Sequence, residues 1–195
     1  MKSALLVIDA QKIYTNENSE LYCKDSVNTI KKINRLIKFF QKNQQPIFLI
    51  KHIHKIDGSD LGRMFDFTGK PEENFNFKEN SVEVEYDDKL NKPKELFEII
   101  KTRYSAFIGT NLEEKLKELG VDTLVICGFM TNFCCESTAR DAHDRDYFVD
   151  FIIDATGTPG TDNFNERKIR KIVSELLSSG FARIKTTKEY LNKGE

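Results

Sequence analysis

The chain has 195 residues, 39% hydrophobic and 31% charged, with 30 Lys+Arg against 31 Asp+Glu for a net charge of −1. At about 150 residues per domain this predicts one domain over residues 1–195, burying roughly 70% of its unfolded surface without a disulfide or metal staple. The balanced, interleaved charge argues against a nucleic-acid or polybasic membrane partner, and no apolar run approaches the ~20 residues that cross a bilayer.

The opening MKSALLVIDA reads as a buried strand, Ala4–Ile8, and not as a signal peptide, because its apolar stretch is short and stops at Asp9. Val27, Ile30, Ile33, Ile37 and Phe40 recur at spacings of three and four and predict an amphipathic helix, which Pro46 ends. Ile47–Ile50 is a second strand. From about His52 to Lys94 the chain is irregular, rich in Gly, Pro and Phe (Phe65, Phe67, Phe75, Phe77), and reads equally as a pocket wall or as a packed surface segment. Leu96–Ile100 is expected as a strand. Leu112, Leu116 and Leu119 form a helix stripe stopping at Gly120. Thr123–Cys127 is a strand, Asn132–Arg145 a helix, Tyr147–Ile153 a strand. Ile169, Ile172, Val173, Leu176 and Leu177 mark a helix, and Phe181–Ile184 is a last strand. Strands alternating with helices predict an α/β fold: a mainly parallel sheet with helices on both faces, and ligands outside the carboxyl ends of the strands. Functional residues are therefore expected just after Ile8, Ile50, Ile100, Cys127 and Ile153.

Asp9 follows the first strand, where partial desolvation raises a carboxylate pKa and suits a base. Lys101 follows the run Leu96–Ile100. Cys134 lies where a strand gives way to a helix start capped by Thr131 or Asn132, a position expected to lower a thiol pKa and favour a nucleophilic thiolate. Cys135 lies about 100° further round and aligns with Ala139 and Ala142 toward the core. Cys127 reads as a buried hydrophobe, Cys23 lies in a polar loop without evident role, and His143 is expected to be solvated. Four cysteines without a signal fit free thiols in the cytoplasm. His52 and His54, two apart on an extended segment, point to one side and are weak metal candidates with Asp57 or Asp60; no third ligand is obvious, and no cofactor is expected.

Asp9 in Val7–Ile8–Asp9–Ala10–Gln11, Lys101 in Lys101–Thr102–Arg103–Tyr104–Ser105–Ala106–Phe107, and Cys134 in the segment Gly128–Thr158 (Gly-x-x-Thr-x-x-Cys, then Thr-Ala-x-Asp-Ala, then a strand ending in Asp-Ala) together resemble the isochorismatase-like cysteine hydrolases, in order along nearly the whole chain. The resemblance implies a three-layer fold with a six-stranded, mainly parallel sheet, and an Asp9–Lys101–Cys134 triad. It also implies a cis peptide at Phe129–Met130 and an oxyanion hole from the backbone N–H groups of Met130 and Cys134. Small-molecule amides or ureides are the implied substrates, and a homodimer or homotetramer the implied assembly. Isochorismatases proper lack the cysteine, so vinyl-ether hydrolysis is disfavoured. Nicotinamidases of the family carry an Asp-x-His metal pattern where this chain has Lys51–His52–Ile53–His54, which weakens a metal-assisted nicotinamidase. Lys101–Ser105 and Asn132–Thr138 look closer to the ureido and carbamoyl amidohydrolases, ureidoacrylate amidohydrolase among them. Tyr104, Asn132, Gln11 and Tyr14 are candidate substrate-binding residues. A non-catalytic, thiol-sensing or binding protein of the same fold is the rival reading.

Overall fold

Continuous runs of branched apolar residues suit strands covered on both faces, and the computed structural model, which describes residues 2–66, 68–69 and 74–192, assembles six of them into one sheet. The strands are β1 (Ser3–Ile8), β2 (Ile47–His52), β3 (Phe97–Lys101), β4 (Thr123–Phe129), β5 (Phe148–Gly157) and β6 (Arg183–Lys185), in the spatial order β3-β2-β1-β4-β5-β6. Every neighbouring pair is parallel. The helices are α1 (Lys12–Thr15), α2 (Ser26–Lys42), α3 (Leu112–Glu118), α4 (Glu136–His143), α5 (Glu166–Ser178) and α6 (Thr187–Leu191). Among the described residues no helix is long and apolar enough to cross a membrane.

Alternation along β1 separates two cores. Ala4, Leu6 and Ile8 face a cluster completed by Leu112 and Leu116 of α3, Ala139 and Ala142 of α4, and Ile169, Val173 and Leu177 of α5. Leu5 and Val7 face the opposite cluster, with Ile30, Ile33, Leu36, Ile37 and Phe40 of α2, Ile13 and Tyr14 of α1, and Tyr190 of α6. The three layers follow from this period of two.

The elements differ from the sequence reading mostly at their ends. Strands β2, β3 and β4 run one or two residues further, so that His52, Lys101 and Phe129 are themselves strand residues. Val27 is exposed and Leu36 takes its place on the buried face of α2, because a 3.6-residue period rotates the stripe along a 17-residue helix. Likewise Ile172 and Leu176 are exposed on α5. The short α1 and α6 had no apolar stripe to announce them. Strand β5 begins one residue late and reaches Gly157. Its pairing with β4 breaks: Ile126 pairs with Phe151, but Gly128 pairs with Thr156, so β5 accommodates several extra residues between the two ladders. Strand β6 pairs only with Asp150–Ile152, before the break.

Candidate active site

The carboxyl ends of β1, β3 and β4 converge. Asp9 leaves β1 with φ of +46°, a left-handed turn that Asp tolerates better than most residues and that sites of function often hold. Its backbone N–H still donates to Ile50 O at 3.0 Å, so the strand pairing extends to the carboxylate itself. Gly128 on β4 has φ of +121°, and a Cβ there would run into the Ile8 carbonyl. Only glycine lets the two strands approach this closely just before the turn that carries Cys134. The Phe129–Met130 peptide is cis, as the resemblance implied.

Residues Thr131–Cys135 form a widened, π-type helical turn before α4 begins at Glu136. Met130 O accepts from both Phe133 N and Cys135 N, at 3.2 and 3.1 Å. This corrects the expected α-helix from Asn132: neither Thr131 nor Asn132 caps it by a side-chain hydrogen bond. Thr131 Oγ1 instead donates to Thr156 Oγ1 at 2.9 Å, and Asn132 Oδ1 accepts from Thr158 Oγ1 at 2.8 Å. Both hydroxyl partners lie beyond the Ile153 end given by the sequence reading, Thr156 on the far part of β5 and Thr158 just past its last residue. Behind the turn, Thr138 Oγ1 donates to Cys134 O at 2.7 Å and accepts from Ala106 N at 3.0 Å. This hydroxyl ties the Thr131–Cys135 turn to the loop after Lys101.

Asp9, Lys101 and Cys134 meet in the interior. Lys101 Nζ lies 2.9 Å from Asp9 Oδ2, with neither side chain exposed. It donates to Cys134 Sγ at 3.2 Å and to Arg103 O at 3.1 Å. The ammonium thus makes two hydrogen bonds and one close ion-pair contact. Burial raises the Asp9 pKa, and the neighbouring Lys101 only partly offsets it. Burial would depress Lys101, but Asp9 and Cys134 hold it above its ordinary value. The Cys134 thiol is pushed up to about 12 by burial, against the pull of Lys101. The expected lowered thiol pKa is therefore corrected: Cys134 is only 2% exposed, and the desolvation of a thiolate outweighs the helix-start position. At rest the group is a neutral thiol beside an ion pair, and a thiolate forms only if a base takes the proton.

The other sequence candidates fall around this centre. Gln11 is buried and holds β2: its Nε2 donates to His52 O and Val84 O, and its Oε1 accepts from His52 N. Tyr14 is buried and stacks on Phe129 at 5.4 Å. Tyr104 and Phe133 form a half-exposed aromatic pair with centroids 5.3 Å apart. Cys135 faces the core with Ala139 and Ala142, as expected, and Cys127 is buried. Cys23, expected in a polar loop, is fully buried, packs beside α1 and α2, and donates from Sγ to Leu21 O. His143 is half-exposed beside Asp144 and meets Phe181 edge-on. The irregular segment packs around the two strand-end histidines. Phe77 stacks on His52, while Phe65 and Phe75 meet His54 edge-on. Phe67 lies outside the described residues.

His52 and His54 do come together, with their Nε2 atoms 2.9 Å apart. Asp60 faces His54 Nδ1 at 3.3 Å, while Asp57 turns away to accept from Ser59 N. As a metal site the set fits poorly. Two imidazole nitrogens on one tetrahedral ion sit roughly 3.3–3.4 Å apart, and 2.9 Å is hydrogen-bond distance. Among the described residues, the one group of three ligand types that converges is Asp9, His52 and Cys134, within 4.8 Å of one another. There the Lys101 ammonium already bonds both Asp9 and Cys134, and a metal ion would place a second positive charge beside it.

A family profile described as Isochorismatase domain matches residues 3–189. Nicotinamidase 3 of Arabidopsis thaliana is 31% identical over 180 residues, 92% of this chain and 82% of that protein. Ureidoacrylate amidohydrolase RutB of Methylorubrum extorquens is 43% identical, but over 72 residues, 37% of this chain and 29% of that protein. Among solved structures, a cysteine hydrolase from Pseudomonas syringae pv. phaseolicola superposes with a TM-score of 0.90 at 27% identity, covering 98% of this chain and 92% of the other.

Proposed function

The chain belongs to the isochorismatase family of hydrolases, and from that premise we propose that it hydrolyses a non-peptide C–N bond of a small amide or ureido compound through a Cys134 thioester. One observation carries the reading: a single buried ammonium, Lys101, meets both a carboxylate and a thiol where the carboxyl ends of β1, β3 and β4 converge. A purely structural ion pair has no use for the sulfur, and a sensor thiol has no use for a buried base.

The chemistry follows from the proton inventory. Asp9 takes the proton of Cys134 as Sγ attacks the carbonyl carbon, so that the thiolate exists only along the reaction path. Lys101 holds the developing negative charge on sulfur. The backbone N–H groups of Met130 and Cys134 are the oxyanion donors in this scheme. The tetrahedral species collapses with cleavage of the C–N bond, and the protonated Asp9 passes its proton to the departing ammonia or amine. Water, deprotonated by Asp9, then attacks the thioester carbonyl, and Cys134 leaves and regains its proton. The amide relatives, one named a nicotinamidase and one a ureidoacrylate amidohydrolase, support a planar amide or ureide as substrate.

The test is ammonia release from a panel of nicotinamide, ureidoacrylate, biuret and carbamoyl amino acids, with Cys134→Ala and Cys135→Ala in parallel. Turnover by the wild type and by Cys135→Ala, with none by Cys134→Ala, is expected. Full activity of Cys134→Ala on the same substrate would overturn the scheme.

A further inference from the structure

His52 takes no part in that scheme, yet it is 1% exposed, and one of its ring nitrogens lies within 4.8 Å of both the Asp9 carboxylate and Cys134 Sγ. Its Nε2 is engaged with His54, while its Nδ1 is buried with no hydrogen-bond partner. A buried, unpaired nitrogen on a ring that reaches the Asp9 carboxylate and Cys134 calls for a ligand atom.

The hydrogen-bond network assigns which kind of atom. Both oxygens of Asp60 accept the Lys55 backbone N–H, so this carboxyl faces His54 as an acceptor. His54 Nδ1 therefore carries the hydrogen, and its Nε2 presents a lone pair. Across the 2.9 Å contact, His52 Nε2 must then be the donor. That leaves His52 Nδ1 as a bare lone pair. Burial keeps both rings neutral, which permits this one-way order. The ring lies flat on Phe77, with centroids 4.4 Å apart, which fixes the plane it occupies. Lys101 Nζ is directed instead to Asp9, Cys134 Sγ and Arg103 O.

We propose that His52 Nδ1 accepts a hydrogen bond from an N–H on the nitrogen of the scissile bond, which makes His52 a specificity-determining residue for amides and ureides over esters and dialkyl amides. The inference rests on the hydrolase reading only for the place of the scissile bond beside Cys134. A ligand without that N–H leaves a buried lone pair unpaired, which lowers its relative rate by about 10- to 100-fold.

Two measurements test this on the intact protein. Histidine ¹⁵N NMR reads the tautomers directly, and with three histidines in the chain, His52→Phe assigns the resonance. His52 protonated at Nε2 and bare at Nδ1 is expected; a hydrogen on Nδ1 overturns the proposal. The second reads alkylation of Cys134 by iodoacetamide and by methyl iodoacetate, which differ in bearing an N–H, by peptide mass against a free thiol as reference. The wild-type rate ratio should exceed that of His52→Phe by about 10- to 100-fold. Asp60→Asn, which leaves the His52 ring in place, should lower the ratio in the same direction. Equal ratios in wild type and both variants, with amide turnover intact, overturn the inference alone. Failure of both reagents to reach Cys134 in the wild type overturns it together with the catalytic assignment.

Discussion

Lys101→Met keeps an unbranched side chain, one atom shorter, and removes its charge. In the native protein the ammonium lies 2.9 Å from Asp9 Oδ2, with both side chains sealed from solvent. Attraction at that separation amounts to about 6 kcal/mol at an effective dielectric of 20, and it offsets several kcal/mol of desolvation for each ion. Without Lys101 the carboxylate must stay charged and alone or take a proton. Removing one partner of a buried pair costs about 3–5 kcal/mol, and the protonation route makes that cost depend on pH. Burial already raises Asp9 above its unfolded pKa with Lys101 present, so the variant raises it further. A group whose folded pKa is raised contributes stability that is present below the unfolded pKa and lost as pH rises through the folded one. The variant should therefore be destabilised by about 3 kcal/mol or more at pH 8 and by less than about 2 kcal/mol at pH 5. Urea unfolding midpoints at the two pH values, with an unchanged m, measure this. Asp9→Asn with Lys101→Met, which removes both charges, should recover much of the loss. An equal loss at pH 5 and pH 8, or a double variant no more stable than the single one, would refute the reasoning.

Gly128→Ala should cost more than about 3 kcal/mol, through the positive φ and the clash with Ile8 O, and show as a large fall in urea midpoint or in soluble yield. Thr138→Val conserves shape but strands the Ala106 N–H and the Cys134 carbonyl; a stability loss of about 1–3 kcal/mol, with kcat falling more than KM rises, is expected from unfolding and steady-state kinetics. With the Cys134 pKa pushed up to about 12, its alkylation by iodoacetamide should still be climbing at pH 9. A plateau below pH 8 would mean a resting thiolate and falsify the neutral-thiol assignment.

Much of this was legible in the sequence because a parallel sheet writes itself plainly. Ala4–Ile8, Ile47–Ile50 and Thr123–Cys127 are continuous apolar runs, and the carboxyl-end rule then singles out Asp9, Lys101 and the approach to Cys134. Two kinds of feature were not legible. The first is the protonation state of Cys134, which depends on how deeply three strand ends bury the thiol; spacing put it at a helix start but carried no depth. The second is the set of contacts made by residues distant in sequence, such as Thr138 to Ala106 or His54 to Asp60. The mutual approach of His52 and His54 was readable from their spacing of two. Their commitment to each other was not, since that depends on where the irregular segment places Asp60 and the phenylalanines. The two-residue extension of β4 and the break in β5 were hidden for a related reason, because the apolar runs end at Cys127 and Ile153 while the pairing continues past both.

That break divides the labour of β5. The residues that pair with β6 are Asp150–Ile152, and the residue that holds Thr131, Thr156, pairs with β4 in the later register. The turn at Cys134 is therefore seated on β5 as well as on β1, β3 and β4, through a stretch of the strand with which β6 does not pair.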